Sequence, residues 1–583
     1  MAKTSEMQQN PILYDADEKP AFPLAFGLGL QIAILISAGV VLTPAIVVTA
    51  GGGTEDFKEW AVFVAVVICG LTTILQAVRI GYIGAGYILA MGTSGAFIAI
   101  CVTAIAKGGA EMLGTLVAIS ALFQFAIATK LSLLRRILTP TVAGTVIMLI
   151  PVTVMPILFS LLESVTVDTT TLVAPLCAIT TLAVTIAVAF KASGNLRLWA
   201  PVIGVAIGSL IGGYFGIYKT ELVINAAWFG IPEASWPGLD LSFGPIFWSL
   251  LPGFIIVTLV GATETIGDSV AIQRVSWREP RAIDFRAVQG AVAADGVGNL
   301  LSGLAVTVPN TTYSTSVAVV ELTGVAARRV GIVLGIILLV AAFCPKLIAV
   351  ILAIPDPVVA AFATILISML FVLGMKIIVE DSLDYKKGLI AGISFWLGVG
   401  FQNGAIFPEH IPGFLSGILD NGMTAGAIAA ITMTLFLEVT EPRRKKIQLP
   451  FTMSELPKIR TFLNDFASSS GWGNAMCHRL DAVSEETMLS LLQHQKDENK
   501  TNYNRQLLLT AKRERGQAIL EFIAATDEKN LEDRMALIGE KPHDGHADRE
   551  ISLRLLRHLA SSVSHQQYND ADIVTIRVDA VIS

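Results

Sequence analysis

The stretch "GPIFWSLLPGFIIVTLVGATETIGDSVAIQ", Gly244 to Gln273, decides how this chain is read. Its first half suits lipid, yet Glu264 and Asp268 follow four residues apart, so a helix carries both carboxyl groups on one face. An acid at membrane depth is costly unless paired or hydrated, and such groups mark solute and proton pathways. The 583 residues are 53% hydrophobic and only 15% charged, with a mean hydropathy of +0.66, which excludes an ordinary soluble protein. Apolar runs of about 20 residues, the length that crosses a bilayer, recur from Ala21 to Glu438. The five cysteines have no disulfide or metal spacing. The first 20 residues are polar and lack the apolar core of a cleaved signal.

The pattern predicts an α-helical polytopic membrane protein of about fourteen spans, as two sets of seven. Basic residues gather at Lys130/Arg135/Arg136, Lys191/Arg197, Arg274/Arg278/Arg281/Arg286, Arg328/Arg329, Lys386/Lys387 and Arg443/Arg444/Lys445/Lys446, while the intervening loops are poor in them. Positive-inside then puts both termini in the cytoplasm of a multi-pass protein in the cytoplasmic (inner) membrane. Twelve spans with two re-entrant segments is the alternative count. The expected divisions are a tail over 1–20, a transmembrane domain over 21–440, a basic linker over 441–450 and a cytoplasmic α/β domain over 451–583.

Two segments make poor spans. "GYIGAGYILAMGTSGAF" (81–97) holds five glycines, and "LAVTVPNTTYSTSVAVV" (304–320) holds Pro309, Asn310 and a run of hydroxyl residues. They are third and tenth in the chain, matching positions of the two sevens. Non-helical backbone survives at that depth only where protein or a wet cavity satisfies it, and paired broken helices point to a transporter's central site. The plainer reading of either alone is a kinked packing helix. Glu264 is expected to bind the proton and accept hydrogen bonds from the solute. Asp268 and Asp295, in "AVAADGVGNLLSGL", would assist proton coupling, Asp295 by holding Glu264 or a broken segment. The plainer reading of Asp268 is a helix-end residue facing Arg274 or water. All seven histidines lie at His410 or beyond, so a proton relay here must use carboxylates.

"ATETIGDS", "ADGVGNLLSGL", "PNTTYS" and "ELTGVAARRVG" resemble, in order and spacing, the purine-type branch of the nucleobase–ascorbate transporter (nucleobase:cation symporter-2) family. The resemblance covers residues 20–440. It implies two inverted sets of seven spans, a core domain moving against a gate domain, a homodimer, and uptake of uracil, xanthine, urate or another purine, usually with a proton. Glu264 matches the family's base-binding Glu, Asp268 the Asp of its "E-x-x-G-D", and Asp295 its ninth-span Asp. Ser94 and Gly95 lie in the third-span signature, where Gly95 replaces a Phe and enlarges the pocket. Ser314 matches a tenth-span backbone contact. Thr315, Ser316 and Ala318 depart from the usual Gln/Glu, Asn and Gly, and Gln31-Ile32 departs from a Gln-His pair.

Beyond residue 448 the chain is charged and span-free. Helices are expected in "ELPKIRTFLNDFASSSGW", "RLDAVSEETMLSLLQ" and "REISLRLLRHLASSVSH", and strands in "QLLLTAKR", "QAILEFIAAT" and "DIVTIRVD". The order is similar to the anti-sigma-factor serine kinase branch of the GHKL ATPases. That family's nucleotide-binding Asn is missing beside Glu485 and Glu486, and Asp527 is followed by Glu528 and Lys529 rather than glycine, so no cofactor is expected. The resemblance implies a regulatory module for a cytoplasmic protein partner. His543 and His546, flanking Asp544, read as solvated rather than metal-binding. The leading expectation is a proton-coupled importer of a heterocyclic solute. A sulfate-permease-like anion transporter and a transport-weakened membrane sensor signalling through its tail are the alternatives. No intact nucleophile, metal or nucleotide site suggests an enzyme, and nothing suggests nucleic acid.

Overall fold

The computed structural model describes residues 12–580 except 132–138, 164–171, 280, 381–383, 413–414, 416–417, 441–443, 493–505, 515, 525–529, 537–546 and 570. Arg135, Arg136, Arg443, Asp527, Glu528, Lys529, His543, Asp544 and His546 therefore lie outside the described residues. Helix α1 (Phe22–Ala50) opens with Pro23 in its first turn, where the missing N–H costs no helical bond. Helix α2 (Glu55–Val78) opens on Thr54, whose Oγ1 accepts the N–H of Phe57 at 3.2 Å. Strand β1 (Ala90–Thr93) and a short turn at Gly95–Phe97 lead into α3 (Ile98–Thr129), which Gly109, at φ +78°, divides in two. Then come α4 (Pro140–Glu163), α5 (Val173–Lys191) and α6 (Ala200–Tyr214).

The helical part of the chain continues. Helices α7 (Pro245–Arg274) and α8 (Phe285–Leu304) precede strand β2 (Asn310–Tyr313) and α9 (Thr315–Thr323). Helix α10 (Arg328–Ala342) bends by 84° into α11 (Pro345–Leu352), followed by α12 (Asp356–Glu380), α13 (Tyr385–Gln402) and α14 (Gly422–Thr440). Among the described residues, eight helices are long and apolar enough to cross a membrane, nine if the bent pair counts as one. This is a helical polytopic membrane protein.

Small residues let these helices approach closely where lipid supplies no hydrophobic drive. A Cβ on Gly144 of α4 would lie 2.6 Å from the Gly374 carbonyl oxygen of α12, and the reverse holds at the same distance. Gly70 of α2 and Gly335 of α10 make a similar crossing.

Both suspect segments leave the helix, and they meet. Strands β1 and β2 pair antiparallel, Ala90 with Tyr313 through Thr93 with Asn310. The pairing gives each the backbone partners that hydrocarbon cannot. Tyr313 lies across the pair, donating from its hydroxyl to Thr93 O at 2.8 Å. Its ring occupies the space a Cβ would take on Gly92, and its hydroxyl lies 2.9 Å from where one on Gly39 would sit.

Contacts divide the chain into two units, and residues 437–583 fall in the second. That unit holds a five-stranded antiparallel sheet in the order β3-β4-β5-β7-β6: β3 (Lys445–Pro450), β4 (Gln506–Glu514), β5 (Gln517–Ala524), β6 (Ser562–Gln567) and β7 (Asp572–Asp579). Helices α15 (Leu456–Ser469), α16 (Asn474–Leu492) and α18 (Ala547–Leu559), with the short α17 (Leu531–Ala536) before the last, complete it. Leu463, Leu480 and Leu556 pack with Leu509, Phe522 and Ile576 in its core.

Two expectations need correcting here. Most of the predicted basic linker is strand β3, paired with β4, so the tail opens on a strand rather than a helix pair. Leu449 faces the core while Lys446 and Gln448 face out, an alternation masked by the run of cations before it. The predicted helix through "SSVSH" ends at Leu559, and those residues form β6 because β7 offers them a ladder. The close fit at Gly92 is directly testable: Gly92→Ala should lower the melting temperature of the purified protein by several degrees through overpacking against Tyr313, and Tyr313→Ala in the same chain should recover part of the loss.

Candidate functional site: acids beside two broken segments

Helix α7 packs along the broken segments, and its successive turns reach different parts of them. Phe254 meets Phe97 with ring centroids 6.3 Å apart, and a Cβ on Gly261 would lie 3.8 Å from the Phe97 ring. Two turns beyond Gly261, Asp268 is clamped by β2 and the start of α9. Thr312 Oγ1 donates to its Oδ2 at 2.7 Å, and Ser314 Oγ donates to its Oδ1 at 2.6 Å. The carboxylate thus sits at the amino end of α9, where peptide dipoles favour negative charge. Asp268 is thus bonded by hydroxyl donors rather than by Arg274, the partner of its plainer reading.

Glu264 lies between those contacts. Its Oε1 is buried and makes no hydrogen bond among the described residues. Buried polar atoms are nearly always bonded, so an orphan on an acid needs an explanation. Ser94 Oγ and Gln31 Nε2 are orphans of the same kind. A Cβ on Gly95 would touch only Leu370 Cδ1, at 3.9 Å, so space remains beside this residue.

Of the other expected residues, Asp295 and Ser316 are tied to neighbouring protein groups. Asp295 is fully buried, and its Oδ2 accepts from Gln124 Nε2 at 2.6 Å and Thr265 Oγ1 at 2.9 Å. Ser316, also fully buried, accepts from the Ala90 N–H at 3.3 Å and donates to Tyr313 O at 3.1 Å. It fastens β1 to the start of α9. Thr315 is half-buried and Ser314 exposed. Ile32, at the position where the resemblance implies a histidine in many members, is fully buried and apolar.

Sequence reasoning missed Thr312, Thr265 and Gln124. Gln124 had a signal, since it is a lone amide in the apolar run "ALFQFAIAT". Among the described residues, no group of three acidic, histidine or cysteine side chains could hold a metal.

Buried acids beside two paired broken helices, inside a helical bundle, define a class: a multi-pass membrane transporter. The profile of the family Xan_ur_permease, described as "Permease family", matches residues 25–406, and the chain belongs to that family, the nucleobase:cation symporter-2 permeases. It is 25% identical to the putative purine permease CPE0397 of Clostridium perfringens, over 73% of this chain and 93% of that one. It is 26% identical to the xanthine permease XanP of Escherichia coli K12 and to the uric acid permease PucJ of Bacillus subtilis, in each case over 74% of this chain and 96% of the relative. The transmembrane domain of a cyanobacterium bicarbonate transporter, BicA, superposes on 72% of this chain and 99% of its own at 16% identity, with a TM-score of 0.43.

The clamp on Asp268 carries an expected cost. Thr312→Val and Ser314→Ala each remove one donor to a partly buried carboxyl group, a loss of about 0.5–1.5 kcal/mol, smaller for the exposed Ser314, and the double variant should lose less than the sum because the carboxyl group can then turn. Melting curves of the purified variants check this.

Proposed function

We propose that this protein imports a purine-like nucleobase of the xanthine, urate or uracil class, or a related heterocycle, by proton symport. The observation that carries the reading is the buried, unbonded Oε1 of Glu264, on the helix that packs along both broken segments. A carboxyl group can hydrogen-bond the ring N–H groups of a heterocycle and can carry the coupled proton. In the proposed cycle Glu264 takes up a proton, the solute docks beside Gly95, Ser94 and Ser314, one set of helices shifts against the other, and both cargoes leave inside. Asp268 contributes through its hydroxyl clamp. The permeases of the Escherichia coli and Bacillus subtilis relatives support the solute class by their names.

The finer architecture belongs to the same proposal. Counting β1 with the first half of α3, the second half of α3 by itself, β2 with α9, and the bent pair α10–α11 as one, the helices read as two series of seven, fourteen crossings in all, with β1 in the third and β2 in the tenth. The antiparallel pairing of those strands supports an inverted relation between the series. The basic clusters support a placement of both termini on the cytoplasmic side of the inner membrane. The tail is proposed as a regulatory module without nucleotide chemistry.

Position 316 narrows the ligand. Its hydroxyl is already used between Ala90 and Tyr313, so it contributes no long polar arm to a solute. With a small residue also at Gly95, the pocket suits a bulkier heterocycle than the family's usual ones.

Uptake into cells or vesicles tests the reading. Excess xanthine or urate should compete with the labelled solute, whereas excess sulfate should not. Glu264→Gln should abolish concentrative uptake while leaving the protein folded. A Glu264→Gln variant that still accumulates solute against its gradient contradicts the proton role, and competition by sulfate alone turns the assignment to an anion transporter.

A further inference from the structure

Behind the acids of α7, an unbroken row of buried amides joins Asp295 to strand β2. Asn310 N donates to Asn299 Oδ1 at 2.7 Å, Asn299 Nδ2 donates to Gln124 Oε1 at 2.7 Å, and Gln124 Nε2 donates to Asp295 Oδ2 at 2.6 Å. All four residues are at most 4% exposed. The direction of this row follows from chemistry. A backbone N–H can only donate, so Asn299 must turn its oxygen to Asn310 and its NH2 to Gln124. Gln124 must then turn its own NH2 to Asp295, and the row can end only on an acceptor.

We propose that Gln124 and Asn299 are positioning residues, an amide chain that holds Asp295 Oδ2 as an acceptor and ties Asp295 to the start of β2. Thr265 donates to the same Oδ2, so that atom is doubly committed. The other oxygen, Oδ1, is buried and makes no hydrogen bond among the described residues. A proton carried by Asp295 therefore sits on Oδ1. The other carboxyl groups of this region, Glu264 and Asp268, come from α7, as Thr265 does. At its far end the chain meets a fixed strand. The Asn310 side chain donates from Nδ2 to Thr72 Oγ1 at 3.3 Å and packs where a Cβ on Gly298 would stand. Reorienting Asp295 thus moves a row of hydrogen bonds that ends on the strand bearing Thr312, one of the two donors to Asp268. This deepens the transport reading of the same site and rests on it for its meaning.

The test reads the strand, not transport. Hydrogen–deuterium exchange is followed at the Asn310 amide in the full-length protein in detergent or nanodiscs, without solute. Asp295→Leu removes the terminal acceptor and should speed that exchange by about tenfold, the weight of one hydrogen bond. Asp295→Asn keeps a carbonyl oxygen for Gln124 and should change it less than about twofold. Gln124→Met should match Asp295→Leu although it touches no β2 atom. If Gln124→Met does not accumulate, the contrast between the two substitutions at 295 reads the same transmission. Exchange unaltered by Asp295→Leu, or raised as much by Asp295→Asn, overturns the chain. Concentrative uptake retained by Glu264→Gln would instead count against the symport proposal, so the two failures are distinguishable.

Discussion

A backbone that leaves the helix inside a bilayer must find partners for its N–H and C=O groups, and here the two places that do so find each other. The β1–β2 pair is the constraint on which the rest depends. Pairing fixes the register of Thr93 against Asn310, and that register decides which side chains face α7 and which face α8. Tyr313 and Ser316 lock it, one hydroxyl on the Thr93 carbonyl and the other between Ala90 and Tyr313. The glycines at 39 and 92 are needed because Tyr313 fills the space their side chains would take.

From that pair, two kinds of acid environment follow. Both oxygens of Asp268 are bonded by hydroxyl groups, while Asp295 has Oδ2 held by an amide and a hydroxyl and Oδ1 buried without a bond among the described residues. Glu264, one turn before Asp268 on α7, also has a buried oxygen without a bond among the described residues. Side-chain bonds thereby tie Asp268 and Asp295 to the scaffold, and Glu264 is the acid proposed to exchange partners. Desolvation makes an exchangeable partner valuable, because a ligand that completes the missing bond removes a cost already present in the fold.

Much of this was legible from single residues. The acids of Val260–Gln273 stand out in an apolar run, and the interruptions at 81–97 and 304–320 follow from glycine, proline and hydroxyl content. What was not legible was pairing over distance. Nothing local says that Thr312 reaches Asp268 across 44 residues or that Gln124 reaches Asp295 across 171. Ser316 read as a pocket residue because its family position is one, and only the register shows its hydroxyl spent on backbone. In the tail, Ile447 and Leu449 alternate as a strand should, but the cations before them made the segment read as a tether. The helix through Ser561–His565 was extended too far because the helical pattern before it is strong, while strand pairing depends on a partner further along the chain.

The central claim is that the unbonded acid on α7 meets both the solute and the proton. Calorimetric titration of xanthine or urate into the purified protein, repeated in buffers of different ionisation enthalpy, addresses both at once. The account predicts a binding heat that varies with the buffer in the wild-type chain, showing proton exchange on binding, and loss of measurable binding in Glu264→Ala. Binding of unchanged affinity in Glu264→Ala, with the same buffer dependence as the wild type, would contradict it.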